Sequence, residues 1–305
     1  MANPSFTQES YHRHSNWYQQ QFPETEQKLS VLRKFKTYQG SINYWLQALF
    51  FDNLTVLLKD KDCKWLTVGD AYGHDAAYLL SQDVHDVLAT DLNDNLLSMA
   101  KELGLVKNYQ KLNAEQMDLE DDSIDYVLCK ESYHHFPRPY AALYEMSRVA
   151  RKGLILMEPQ DPILKMPFLL FLGNCMNRIH PNWLDKIWKN RFSYESVGNF
   201  VYKVSEREFE KFAAGMNFST IACREFNPNF WFQGSSNIQA KFSEKKFRSI
   251  YVKKAIRDFL KMCGLIPAQT LCLIAFIDPP ADNILRELKG KGFRITKIRK
   301  NPYLQ

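Results

Sequence analysis

Trp65–Asp91 reads WLTVGDAYGHDAAYLLSQDVHDVLATD, and the reading of the fold starts there. Trp65 to Val68 is a short apolar run that enters a turn carrying Gly69 and Gly73. Ala76, Ala77, Leu79 and Leu80 then recur at helical spacing, and a second apolar run, Val87 to Thr90, ends on Asp91. A strand, a glycine turn, a helix and a second strand closed by an acid describe the nucleotide-binding half of a doubly wound α/β sheet. Only a tight glycine turn lets backbone N–H groups and a helix N-terminus come close to a ligand. A dinucleotide needs a further glycine where the backbone meets the pyrophosphate. Here Ala71 takes the middle place, and Asp70 sets a negative charge inside the turn that repels phosphate.

The turn therefore suits an adenosyl compound that lacks phosphate and carries cationic groups. S-adenosylmethionine, with its sulfonium and α-ammonium, is such a molecule. Asp91 stands 18 residues after Gly73, about where an acid accepts both ribose hydroxyls. Val68-Gly69-Asp70-Ala71-Tyr72-Gly73 is followed in order by Thr90-Asp91-Leu92, Asn113-Ala114-Glu115 and Asp121-Asp122-Ser123-Ile124-Asp125-Tyr126-Val127. Together these segments, spanning Lys64 to Glu158, resemble the small-molecule type of class I S-adenosylmethionine-dependent methyltransferase.

That resemblance implies a Rossmann-like α/β fold, a seven-stranded, mostly parallel sheet with N-terminal helices and helical insertions. It implies S-adenosyl-L-methionine held by Gly69, Asp70, Ala71, Tyr72 and Gly73, by Asp91 and Leu92, by Asn113, Ala114 and Glu115, and by Lys130. Asn113 and Ala114 are expected at the adenine edge, although an Asn after a strand is also a common turn residue. Two positions depart from the family pattern. Thr67 stands where the family has an acid on the first strand, Ala71 replaces the central glycine, and Asp70 is the candidate substitute for the missing acid.

At 305 residues with 45% hydrophobic side chains, the chain has ample material for a globular core. Its opening, MANPSFTQESYHRHSNWYQ, has no charged-then-apolar signal pattern. Six dispersed cysteines without ligand spacing argue for reduced thiols in a cytoplasmic protein and show no zinc site. The net charge of +6 is uneven, with 15 Lys/Arg against 5 Asp/Glu in residues 241 to 300. Such a stretch marks either a nucleic-acid or membrane surface or a solvated helix face opposite Phe247, Ile250, Tyr251 and Phe259.

Residues 1–60 are expected to form an N-terminal helical cap, and 61–305 a methyltransferase domain with insertions at about 160–204 and 227–268. The polar, aromatic first 24 residues show no clear period; Tyr11, His12, His14 and Trp17 either reach the active site or lie in a frayed end. Helices are expected over Glu26–Tyr38, Ile42–Leu58, Asn93–Leu103 and Tyr140–Val149, and strands over Tyr109–Leu112, Ile124–Cys129 and Gly153–Met157. Ile163–Met176, a largely apolar stretch of 14 residues rich in Leu and Phe, is too short to span a bilayer. With the basic aromatic patch Arg178, His180, Trp183, Lys186, Trp188, Lys189 and Arg191 it reads as a substrate lid, a membrane-surface helix or a packed helix pair. Ser205-Glu206-Arg207-Glu208 has the capping-box form. Strands at Ser219–Phe226 and Thr270–Ile277 follow, then a last helix and an edge strand at Phe293–Ile298 whose place in the sheet is open.

Gly69 to Gly73, Asp91 and Asn113 each come just after a predicted strand, so in a parallel sheet they open on one rim. Lys130 to Pro139 adds His134 and His135 there, and the fifth strand adds Glu158. Methyl transfer is an in-line displacement that mainly needs positioning, but a hydroxyl or ammonium acceptor must also lose a proton. His134 or His135 is the candidate base, with Glu158 and Tyr133 as second choices; the alternative is a hydrogen-bonded wall. The expected acceptor is a small molecule or glycan, a sugar hydroxyl being favoured by the many Trp, Tyr and His residues. The competing readings are a nucleic-acid or membrane-associated substrate reached through the basic C-terminal region, or cofactor binding without catalysis. Glu131-Ser132-Tyr133-His134 stands where base N-methylation places Asn/Asp-Pro-Pro-Tyr/Phe, which argues against a nucleic-acid base.

Overall fold

The computed structural model describes residues 4–162, 166–180, 192–195 and 198–303. Three helices come first: α1 (Pro4–Gln21), α2 (Thr25–Thr37) and α3 (Ile42–Phe51). Then β1 (Lys64–Val68), α4 (His74–Ser81), β2 (Asp86–Asp91), α5 (Asn95–Glu102) and β3 (Asn108–Lys111) make the first half of the wound sheet. The second half runs β4 (Ile124–Lys130), α6 (Pro139–Val149), β5 (Ala150–Pro159), α7 (Pro167–Ile179), α8 (Glu206–Gly215), β6 (Thr220–Phe226), α9 (Lys245–Met262), β7 (Thr270–Phe276), α10 (Asp282–Gly290) and β8 (Arg294–Lys297).

The sheet has eight strands in the order β3-β2-β1-β4-β5-β7-β6-β8, one more than the seven expected. The strand at the C-terminal end joins the main sheet because Cys223 to Thr220 pair antiparallel with Arg294 to Lys297. β1 to β5 are parallel neighbours, whereas β7 runs antiparallel to both β5 and β6. Alternation along β1 shows both faces buried: Trp65 packs in one core layer, Leu66 and Val68 in the other.

Three sequence expectations are corrected. The aperiodic N-terminus is an 18-residue helix, fixed by side-chain bonds to the body of the protein rather than by an apolar stripe. The single helix expected to Leu58 ends at Phe51, after which a turn leads to a short 3-10 segment, Leu57–Lys59. On α9, Phe247 and Ile250 are buried, but Tyr251 and Phe259 of the same expected set are 43% and 58% exposed. Phe247 and Ile250 cluster with Ile42 and Leu46, so the insertion before β7 buttresses α3. At Ser205 the N-cap half of the expected capping box forms, its Oγ accepting from Glu208 N at 3.3 Å, while the Glu208 carboxylate accepts from the Tyr140 hydroxyl. Trp183, Lys186, Trp188, Lys189 and Arg191 lie outside the described residues. No helix among the described residues is long and apolar enough to cross a membrane.

Candidate active site

The carboxyl ends of β1, β2 and β4, roofed by α1, α2 and α3, enclose a cavity of about 580 Å³, within the usual range for small-molecule sites. Of the residues expected to hold the cofactor, Gly69, Asp70, Ala71, Tyr72, Asp91, Leu92, Asn113, Ala114, Glu115 and Lys130 line it. Gly73 does not; it stands at the head of α4 with φ +68, where a Cβ would come within 2.8 Å of Val106. Its role is to let the turn enter the helix.

Gly69 is required twice over. Its φ is +70, and a Cβ there would lie 2.6 Å from the Ser132 side chain. Gly69→Ala should therefore destabilise the protein by roughly 2–4 kcal/mol, from left-handed backbone strain and overpacking together. A urea midpoint unchanged from that of the parent protein would show that the turn tolerates a side chain.

Asp70 is buried and caps α4, accepting from Asp75 N at 3.2 Å, Ala76 N at 2.8 Å and the Thr67 hydroxyl at 3.0 Å. The acid missing from the first strand is thus displaced three residues onward, and Thr67 donates to it. Beside it the Lys130 ammonium lies 3.2 Å from Asp75, above the rings of Phe50 and Phe51. Burial opposes the charge on Lys130, but Asp75 and Glu131 outweigh it and hold the ammonium protonated. One end of the cavity therefore carries both signs of charge.

At the other end Asp91 is 6% exposed and accepts from Asn93 N at 2.9 Å. Burial pushes its carboxyl up to about 7, with the Asn93 N–H pulling down and Asp70 pushing up. Ribose hydroxyls donating to the ionised form must displace a proton below that pH. Cofactor affinity should accordingly fall about tenfold per unit as pH drops below about 7 and level off above it. Calorimetry giving a flat profile would remove Asp91 from the ribose site.

Asn113 Oδ1 accepts from Glu115 N at 3.0 Å, a turn-forming bond. Glu115 lines the cavity, but its oxygens accept from Tyr11 Oη at 2.6 Å, Arg138 N at 2.9 Å and Arg138 Nε at 2.6 Å. It is a clamp that ties α1 to the loop before α6.

α1 presents Ser10, His14 and Trp17 to the cavity at i, i+4 and i+7 spacing, with Tyr11 alongside. His12 points elsewhere and bonds Asn16 at 3.1 Å. Ser10 donates to Asn199 at 2.6 Å, and Asn199 donates to His135 O at 2.7 Å. The helix, the segment around residue 199 and the histidine loop are thus sewn together over the site.

The three candidate catalytic residues separate. His135 faces the cavity, its Nδ1 paired with Glu195, which also lines it. His134 lies behind, with Nδ1 2.5 Å from Glu158 Oε2. Burial alone would lower its pKa, but Glu158 wins and raises it. Glu158 is wholly buried, and its Oε1 accepts from Ser132 N and Tyr133 N, each at 2.9 Å. It orients the histidine loop without reaching the cavity. Tyr133 is buried against Phe136 and Phe209. Among the lining residues, Lys34, Phe35, Tyr38, Asn43, Tyr44 and Gln47 of the N-terminal helices, together with His74 and Glu195, had no motif to single them out.

The geometry and the turn chemistry define a nucleoside-binding α/β domain suited to a cationic adenosyl donor. A family model described as a methyltransferase domain matches residues 66–157. The chain carries, over that segment, a methyltransferase domain of the class I type, whose methyl donor is S-adenosyl-L-methionine. It is similar to the uncharacterized methyltransferase YcgJ of Bacillus subtilis, 27% identical over 166 residues, a match spanning 48% of this chain and 65% of that protein. The crystal structure of YcgJ overlaps 76% of this chain and 100% of its own, at 18% identity and TM-score 0.46. A methyltransferase structure from Thermotoga maritima overlaps 88% and 100%, at 13% identity and TM-score 0.46. Phosphoethanolamine N-methyltransferase 2 of Haemonchus contortus, solved with S-adenosyl-L-methionine, overlaps 75% and 52%, at 16% identity and TM-score 0.46.

Proposed function

We propose that this chain methylates a hydroxyl oxygen of a small molecule, with a sugar ring as the favoured acceptor. The observation that carries the reading is the His135–Glu195 pair on the cavity wall, beside His14 and Trp17 on the overlying helix. The donor, when bound, supplies a methyl carbon activated on a sulfonium. Asp91 takes the ribose hydroxyls, the backbone at Asn113 and Ala114 meets the adenine, and Asp70, Asp75 and Lys130 hold the amino-acid end.

Trp17 and Phe136 offer flat apolar faces to a sugar ring. An imidazole of the wall then takes the proton that the hydroxyl loses as it attacks. In the protein without further ligands that imidazole is His135, whose Nδ1 is paired with Glu195. His14 is the neighbouring ring, 6.1 Å away between centroids. Burial and the nearby His135 keep it below the ordinary histidine range, Glu195 acting the other way.

Nucleic acid is the weaker reading. The basic face of α9 lies on the side of α3 away from the cavity, since Ile42 and Leu46 pack on α9 while Asn43, Tyr44 and Gln47 line the cavity. The test is a methyl-transfer screen of sugars, nucleotide sugars, glycans, amines and RNA with labelled donor. Label on an amine or RNA but on no hydroxyl compound would replace this assignment.

A further inference from the structure

We propose that His134, His135 and Glu195 form a binding site for one divalent transition-metal ion at the acceptor end of the cavity. The proposal rests on the reading of that end as the acceptor side. One ligand atom from each of the three residues lies within 4.8 Å of the others. Two imidazoles and a carboxylate are the donor set that suits zinc and its neighbours rather than magnesium or calcium. Metal–ligand bonds of about 2.0–2.2 Å set tetrahedral ligand atoms about 3.4 Å apart, so the widest spacing closes and an ion replaces the direct His135–Glu195 contact.

An independent feature is Glu158. A metal-bound imidazole almost always gives its second nitrogen to a carboxylate or carbonyl, which fixes the tautomer and turns the other nitrogen outward. Here a fully buried glutamate, anchored by two backbone N–H groups, holds His134 Nδ1 at 2.5 Å and leaves Nε2 as the nitrogen available to a metal. A carboxylate sealed from water behind a histidine is costly unless the orientation it imposes is used. His135 stacks on the same ring at 3.9 Å between centroids. Its loop is held through Asn199 to Ser10, so the pieces of the site are tied together before any ion arrives. Three protein ligands leave at least one position open toward the cavity, where an acceptor oxygen would complete the coordination.

Cysteine spacing gave no hint of this because no cysteine takes part, and the acid stands far along the chain from the two histidines. The test uses the tag-free full chain, stripped with chelator and titrated with Co²⁺, followed by displacement with Zn²⁺. The expected result is one Co²⁺ per chain with a visible ligand-field absorption that Zn²⁺ abolishes. Glu195→Gln should weaken binding at least about tenfold by removing a ligand, and Glu158→Gln by about ten- to a hundredfold by releasing His134. Glu195 lies near the surface, so its variant is readable even where Glu158→Gln impairs folding; S-adenosylmethionine calorimetry reports whether each variant is folded.

Failure of Co²⁺ to saturate at one equivalent, or binding untouched by Glu195→Gln, overturns the site. Transfer that runs at full rate in chelator would remove the metal and leave the methyl-transfer reading intact. A saturable cobalt site with no transfer to any hydroxyl compound would do the reverse.

Discussion

Asp91→Ala should reduce S-adenosylmethionine binding by about a hundredfold to ten-thousandfold. The carboxylate at the end of β2 is placed to accept two ribose hydroxyls, and each hydrogen bond to a charged group is worth about 1.5–3 kcal/mol. Losing both therefore removes about 3–6 kcal/mol of binding, at about 1.4 kcal/mol per decade. The fold should survive, because the strand that carries Asp91 is paired on both sides, with β1 and with β3. What the native chain loses in the variant is the Asn93 N–H contact at 2.9 Å, worth about 1 kcal/mol. Asp91→Asn keeps that contact and the shape while deleting the charge, and it should fall between the two. Calorimetry showing undiminished affinity in Asp91→Ala would sink the ribose assignment, and the pH dependence with it.

His135→Ala should lower kcat by about 10²- to 10⁴-fold, the span contributed by a positioned proton acceptor. Cofactor affinity should stay within about threefold, because the groups proposed to hold the cofactor follow β1, β2 and β4 rather than sit on this ring. His134→Ala should also lower turnover. It strips Glu158 of its partner, leaves an acid buried without a cation, and frees the loop that carries His135. The two variants differ in one readout: His134→Ala also costs stability, since it exposes the Glu158 pairing, whereas His135→Ala removes a partly exposed side chain. Unchanged turnover in both would return the pair to a wall that merely encloses the acceptor.

Charge on α9 bears on partners rather than on chemistry. Val252, Ile256, Phe259 and Met262 stand 53%, 55%, 58% and 73% exposed along that helix, among its lysines. The sequence pattern treated Phe259 as an inward residue. The 3.6-residue period gives two apolar sides here, and only packing against α3 selects Phe247 and Ile250 as the inner one.

The sequence by itself determined the wound α/β core and the cofactor rim, because those depend on local rules. Apolar runs of strand length, Gly69 in its left-handed turn, Gly73 at the head of α4 and an acid closing β2 each act within a few residues of their neighbours. The tertiary structure alone decided the rest. That the aperiodic first residues fold as α1 depends on Tyr11 meeting Glu115 and Ser10 meeting Asn199, partners more than a hundred positions away. That β8 makes an eighth strand depends on β6 offering an unpaired edge. That His134 is backed by Glu158 while His135 turns to Glu195 depends on three loops brought together at the end of the sheet, and no spacing along a chain encodes distances between segments that meet only on folding.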